Sequence, residues 1–546
     1  MAFAKVWAES AQLERAAEIL RTRLRERGVE DGQGYEIRLV LDPSLAENAF
    51  RLQPGEIAAA DLLGAVHGCG RFLQGCEFPE NGFVPNEERV EIAPYAPYRG
   101  VYMASHFHNY FHMASIAEMK RYVEDMALWG WKWIMLNWPS IDFESAADPD
   151  IAVQTQRHRA VYTAAHELGM KVCIGISANG GFKDFPKELH AAKHNDPFVR
   201  RGDTGNVLCM SKPGAQEYVD SINEDRCRRF QDIGVDMVRV WPYDEGGCGC
   251  PECAPWGAKG YIRSSKRAFS IAKKYFPHAL RLVSTWCFDT PYEGEWEALD
   301  RSLEEEKWCD VILADAHEDY PRYPLDVHVP GGLPLITFPE ISMWGLFPWG
   351  GWGATMLPDR LSRLYRQLEG KAKGCLLYSE GIYEDFNKAV ESQFYLRNAV
   401  DWRETARAYG RYELGIADLD AYIRLIELVE KTHTAVATTG KCDPADAEAA
   451  YRLARQLNAQ LPKWAQNCWR WRIIYIRCEL DAIRYRLASD HLEIGNEHGM
   501  KLTDWQELLL REPIAQADFQ ELIRIFHCSE KAMDDPYHGR VRPMCP

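Results

Sequence analysis

The chain of 546 residues carries a formal net charge of −16, with 46% hydrophobic and 26% charged residues. That length exceeds one typical core, so two or three domains are expected. The acidic balance argues against nucleic acid and anionic membranes as partners, because phosphate groups need a basic face, and no apolar run is long enough to span a bilayer.

Lys5, Glu9, Glu14 and Arg15 fall too early for the apolar region of an export signal. Sixteen cysteines scattered through such a chain are expected to be mostly buried thiols in a reducing, cytoplasmic setting. Eighteen tryptophans, many just after strand-like runs, offer stacking surfaces for a flat, partly apolar ligand such as a sugar ring.

In chain order, residues 4–28 alternate apolar and charged positions at helical spacing, and Gly28 supplies a stop. Residues 34–41 and 49–53 read as strands, 56–74 as a helix with small residues on one face, and 90–92 as a short strand. Pro94 and Pro97 mark a boundary, which makes 1–95 a small α+β domain. A regular alternation follows. Strand-like runs at 99–105, 133–138, 171–177, 237–241, 281–286, 310–314, 333–338 and 374–378 are separated by helix-like segments such as 115–129, 154–168, 214–233, 261–275 and 357–368. Eight such units over 96–395 predict a (β/α)8 TIM barrel, whose usual length is about 250 residues; a doubly wound open sheet is the alternative. From 396 to 546 the pattern is helical, with apolar faces over 417–431, 443–461, 465–488 and 515–534, and predicts a C-terminal helical domain.

In such a barrel, functional groups sit just after each strand. The residues found there include His106, Asn137, Asn179, Trp286, Tyr320, Trp344 and Glu380, polar and aromatic groups of the kind that sugar hydroxyls and ring faces require. The fourth run, Met237-Val-Arg-Val-Trp-Pro-Tyr, ends on Asp244-Glu245 and then Gly246-Gly247. Adjacent strand residues point to opposite sides, so both acids reach one ligand only where the strand ends and bends, as the two glycines permit. A plain exposed Asp-Glu turn is the competing reading. Glu384-Asp385 and Glu304-Glu-Glu306 are expected on solvated helix faces.

Cys248, Cys250 and Cys253 have ligand spacing. A closed zinc site would need a fourth ligand from Cys209, Cys287 or a His on another strand; free thiols or a local disulfide are the other readings. The chemistry itself is expected to need no cofactor.

Tyr98-Arg-Gly-Val-Tyr-Met, the later Met126-Ala-Leu-Trp-Gly-Trp-Lys-Trp-Ile, the Asp244-Glu245 pair and Leu376-Leu-Tyr-Ser-Glu380 together resemble, in their order, the barrel of family 20 glycoside hydrolases, the β-N-acetylhexosaminidases. The small domain ahead of the barrel is similar to the one that precedes such barrels. The match is to a distant member: Val240-Trp-Pro-Tyr243 stands where the family usually has His-x-Gly-Gly, and Asn137-Trp-Pro-Ser140 replaces the groups expected after the second strand. The resemblance implies a carbohydrate substrate and retaining, substrate-assisted release of terminal N-acetylhexosamine. In that mechanism Glu245 is the general acid/base and Asp244 orients the acetamido nitrogen. It also implies that Arg99 and Glu380 bind hydroxyls of the sugar, while Trp286 and Tyr320 line the acetamido pocket. An α-glucuronidase or other exo-glycosidase without an acetamido requirement, and a barrel that binds sugar without catalysis, are the alternatives. Linkage and oligomeric state are not encoded legibly.

Overall fold

A computed structural model of the protein describes residues 2–79, 82–106, 109–137, 139–193, 206–243, 246–290, 293–316, 319–341, 354–368, 370–398, 400–439, 442–491 and 512–526. Its first sheet has six strands: β1 (Ala2–Ala8), β2 (Val29–Asp31), β3 (Tyr35–Leu41), β4 (Phe50–Gln53), β5 (Glu56–Ala59) and β6 (Val90–Ile92), in the order β2-β1-β3-β5-β4-β6.

Two helical expectations change here. Residues 2–8 form a strand, because Ala4 and Val6 alternate inward while β1 pairs in parallel with both β2 and β3. The helix begins only at Glu14 and runs to Glu26, burying Ala16, Ala17, Leu20 and Leu24. Likewise Glu56–Ala59 is the central strand between β3 and β4, and the helix Leu62–Gly75 starts after Asp61, whose carboxylate accepts the Gly64 N–H at 2.8 Å.

The eight further strands close into a parallel barrel: β7 (Tyr98–Met103), β8 (Trp133–Leu136), β9 (Lys171–Ile176), β10 (Met237–Val240), β11 (Leu280–Ser284), β12 (Val311–Ala316), β13 (Leu335–Pro339) and β14 (Gly374–Ser379). Side chains alternate, as the two-residue period requires. Tyr102, Met135, Cys173, Leu282, Leu313 and Leu376 fill the inside. Val101, Ile134, Val172, Val238, Val283 and Leu377 face out into the larger core, so each strand is apolar on both faces. Some of the helices start on a side-chain cap. Ser115 and Glu118 form a reciprocal capping box at the head of Ile116–Leu128.

Beyond the barrel, helices Leu419–Thr439, Pro444–Gln460, Trp469–His491 and Pro513–Phe526 form the C-terminal region. It is tied to the barrel by buried charge. The Arg470 guanidinium lies 2.7 Å from Asp385, 2.8 Å from Asp125 and 3.5 Å from Glu413, and Arg23 of the first helix reaches Asp125 at 2.8 Å. The expected solvated placement of Glu384-Asp385 is therefore overturned. Both side chains are buried; Asp385 accepts hydrogen bonds from Tyr122 and Tyr409, and Glu384 pairs with the buried ammonium of Lys388. A helical period gives no warning that a charged face will meet a complementary charged face. No described helix is long and apolar enough to cross a membrane.

Candidate functional site

The carboxyl-terminal ends of the barrel strands carry an aromatic layer. Tyr102 of β7 lies 5.5 Å from both Phe338 of β13 and Tyr378 of β14, ring centre to ring centre. Phe338 continues to Trp241, just past β10, at 5.2 Å, and Trp241 stacks on Trp286 at 5.3 Å. These positions belong to β7, β10, β11, β13 and β14, and closure of the barrel between β14 and β7 brings the first and last of them together. Each such pair contributes about 0.5–1.5 kcal/mol beyond its buried area, so the layer is a firm platform.

Into it projects Arg239, the middle member of the inward set Met237, Arg239, Trp241. Its guanidinium carbon sits 4.6 Å from the Trp241 ring centre and 5.1 Å from that of Tyr102. The side chain is only 4% exposed, and among the described residues it makes no ion pair or hydrogen bond; its Nε is buried without a partner. Cation–π contact offsets part of the cost of burying this charge, but an unpaired buried cation still favours an anionic partner.

Asn137 approaches the same place. A Cβ built on Gly175 of β9 would stand 3.2 Å from both Asn137 Oδ1 and Arg239 Nη2, so glycine here leaves room for two polar heads above it. The Asn137 Nδ2 is buried without a partner among the described residues. Its backbone is fixed by the Ser105 hydroxyl, which donates to the Asn137 carbonyl at 2.8 Å and accepts its N–H at 3.1 Å.

At the rim, Glu380 accepts a 2.6 Å hydrogen bond from the Tyr378 hydroxyl, and its N–H donates to Glu384. His106 packs edge-on against Tyr102 at 6.4 Å. The structure thus gathers His106, Asn137, Trp286 and Glu380 around one mouth. Arg239, Tyr102, Trp241, Phe338 and Tyr378 join this site without being expected there from the sequence. A lone charge inside the apolar run 237–241 was the available signal for Arg239.

Three expected ligand contacts are corrected. Arg99 opens β7 at the opposite end of the barrel and faces outward. Its guanidinium donates to the carbonyls of Ala96 at 2.6 Å and Gly130 at 2.8 Å, and burial lowers its pKa to about 10. It staples the entry to the first two barrel strands. Tyr320 is buried among Leu364, Leu368 and Ala372, beneath the helix Pro358–Gln367, where burial first and nearby Glu391 second hold its hydroxyl well above the ordinary tyrosine range. Asn179 is fully buried, and its amide is spent on main chain: Nδ2 donates to the carbonyls of Leu208 and Gly247, each at 2.8 Å, while Oδ1 accepts the Gly247 N–H at 3.0 Å.

Asp244, Glu245 and Trp344 lie outside the described residues. The chain on either side of the acid pair is described, and it is pinned. Before it, the Pro242 carbonyl accepts the Trp256 indole N–H at 2.6 Å, and the Tyr243 hydroxyl donates to the buried Glu295. After it, Asn179 holds Gly247, and a Cβ on Gly246 would lie 2.7 Å from the Pro242 carbonyl. So close an approach at position 246 needs glycine. Asn179→Ala should leave one N–H and two carbonyls without partners, at about 1–3 kcal/mol for each buried group. Hydrogen exchange over 246–248 is expected to accelerate while the rest of the barrel keeps its protection; unchanged exchange there would refute the bracing role.

Beside this loop the Sγ atoms of Cys209, Cys248, Cys250 and Cys253 all lie within 4.8 Å of one another. All fourteen described cysteines are free thiols.

The closed eight-stranded barrel, with a small sheet before it and helices after it, is similar in fold to several solved structures. The family 89 glycoside hydrolase from Clostridium perfringens, solved with 2-acetamido-1,2-dideoxynojirimycin, matches with a TM-score of 0.61 at 12% identity over 94% of this chain and 65% of its own. A family GH115 4-O-methyl-α-glucuronidase with specificity for decorated arabinogalactans matches at 0.59 and 10%, over 99% and 77%. The GH20 exo-β-N-acetylglucosaminidase from Vibrio harveyi, solved with N-acetylglucosamine, gives 0.52 and 14%, over 77% and 74%. At these identities the likeness is one of fold. No protein-family model and no curated protein sequence matches the chain.

Proposed function

We propose that the protein is an exo-acting glycoside hydrolase that uses Glu245 as general acid/base, with Asp244 beside it orienting the substrate's own nucleophile. The observation that carries this reading is the pair of fixed flanks around Asp244-Glu245. The two adjacent carboxylates come four residues after β10, beyond Trp241 of the aromatic layer, and the chain on both sides of them is held by buried hydrogen bonds. Glycoside cleavage needs an acid to protonate the leaving oxygen and a second group to meet positive charge at the anomeric carbon. In the acetamido form of this chemistry the substrate carbonyl attacks that carbon, and Asp244 holds and charges the acetamido nitrogen, which releases terminal N-acetylhexosamine with retention. The aromatic layer supplies the face against which a pyranose ring stacks.

A second reading is favoured by one observation, that Arg239 has no ion-pair partner among the described residues. A buried guanidinium beside Asn137 suits a carboxylate better than a neutral hydroxyl, and so suits a hexuronic acid at the non-reducing end. Asp244 would then be a hydroxyl ligand or second catalytic acid.

A panel of aryl glycosides separates the two. Turnover strictly dependent on a 2-acetamido group is the expected result. Turnover of aryl hexuronides with none of the N-acetylhexosaminides would transfer the assignment to the second reading. Sugar binding without turnover across the panel would overturn the enzymatic reading itself.

A further inference from the structure

We infer that Cys209, Cys248, Cys250 and Cys253 form a closed tetrathiolate site for one zinc ion, which locks the loop bearing Asp244 and Glu245 to its neighbour. The inference stands independently of which sugar, if any, the barrel cleaves.

The geometry comes first. Four sulfurs around a tetrahedral zinc at about 2.3 Å lie roughly 3.8 Å from one another. Here all four Sγ atoms fall within 4.8 Å of one another, and Cys209 and Cys250 are 3.5 Å apart. A disulfide requires sulfurs about 2.05 Å apart, so this cluster has the spacing of a shared ligand rather than of a bond. Three of the four residues are buried and Cys250 is half-buried. Four thiolates and no open position describe a structural site rather than a catalytic one.

The surroundings complement the charge. Zinc with four thiolates carries a net double negative charge, and binding expels the thiol protons to solvent. The Arg263 guanidinium donates toward Cys253 Sγ at 3.6 Å, and the Ser211 hydroxyl lies 3.0 Å from Cys209 Sγ and 3.5 Å from Cys250 Sγ. These are groups of the kind that orient and neutralise a thiolate shell. The backbone is wound tightly as well: the N–H groups of Cys253 and Ala254 both donate to the Cys250 carbonyl, at 3.0 and 2.8 Å.

The topology gives the site its role. Cys209 belongs to the connection after β9, next to Val207 and Leu208, which bridge to Gly180 and His190. The other three belong to the connection after β10, and Cys248 is three residues beyond Glu245. A metal here would clip together two loops at the carboxyl-terminal mouth, alongside the Asn179 brace. Cys287, the other cysteine that sequence offered as a fourth ligand, is not in the cluster.

The test is metal analysis of the full-length protein, purified under reducing conditions without chelator. One zinc per chain is expected, released stoichiometrically by a mercurial thiol reagent. Cobalt-exchanged protein should show the visible bands of a tetrahedral tetrathiolate. Cys209→Ser and Cys253→Ser should each lose the metal, and Cys227→Ser, a buried thiol elsewhere, should keep it. Because the first two measurements use the native chain, misfolding of a variant cannot blur the outcome. A folded native chain without metal whose four thiols react freely would overturn the inference, as would a mass deficit showing that these cysteines have paired as disulfides.

Discussion

Glu245→Gln is expected to reduce glycoside turnover by about 10²–10⁴-fold, the usual share of a positioned general acid or base, with the fold intact. The loss should depend on the leaving group. A nitrophenolate departs with little help from a proton, whereas an alkoxide of a natural sugar cannot, so the defect should deepen as the leaving-group pKa rises. Glutamine keeps the shape and the acceptor oxygen but has no proton to give. Parallel kinetics on aryl glycosides of graded acidity provide the check. A uniform loss across the series would assign Glu245 to binding or positioning, and normal turnover would remove it from the chemistry.

The largest effect on stability is expected at Arg470. Its guanidinium meets Asp385, Asp125 and Glu413, and the side chain is 7% exposed. Against burial, which raises it, Arg23 and Arg470 hold the Asp125 carboxyl below its ordinary range. Burial dominates at Glu413, whose pKa is raised. Arg470→Met keeps much of the side-chain volume and removes the cation shared by three buried carboxylates, leaving Asp125 to Arg23 and Asp385 to its two tyrosines, at a cost of about 3–5 kcal/mol. The pH dependence has a definite sign. A carboxyl depressed in the folded state stabilises above its unfolded pKa, and that contribution fades as pH falls. Without the arginine that depression of Asp125 is relieved, so the gap between parent and variant should be wide at about pH 7 and narrower at about pH 3, below the ordinary aspartate range. Denaturant midpoints at the two pH values measure it; a gap independent of pH would mean that the loss is one of packing, not charge.

The barrel was legible because strands buried on both faces read as continuous apolar runs. Each of the eight starts within two residues of its expected place, from Tyr98 to Gly374. The first sheet was harder. Ala2–Ala8 followed by Glu14–Glu26 blends a two-residue and a 3.6-residue period into one amphipathic stretch, and only pairing with β2 and β3 decides the first part. At the mouth, residues just after strands were found, whereas Tyr102, Phe338 and Tyr378 were not, because which side of a strand faces the lumen depends on how the whole barrel closes. Arg99 was misplaced for a plainer reason: it opens its strand, and function collects where strands end. The spacing of Cys248, Cys250 and Cys253 was visible in the chain; the arrival of Cys209, about forty residues earlier, is a consequence of neighbouring parallel strands.

The Arg470 contacts also bear on the order of events during synthesis. Asp125 and Asp385 leave the ribosome well before residues 469–491, which carry the cation that both acids share. Arg23, already made, can meet only the first of them. Until the later helix emerges, the barrel wall therefore holds acids that favour water over docking, and the nascent chain is expected to stay loosely packed along that side. Final consolidation of the barrel would then wait for a segment that lies outside it in sequence. On that expectation the C-terminal helices belong to the folding unit of the barrel rather than being an attachment to it.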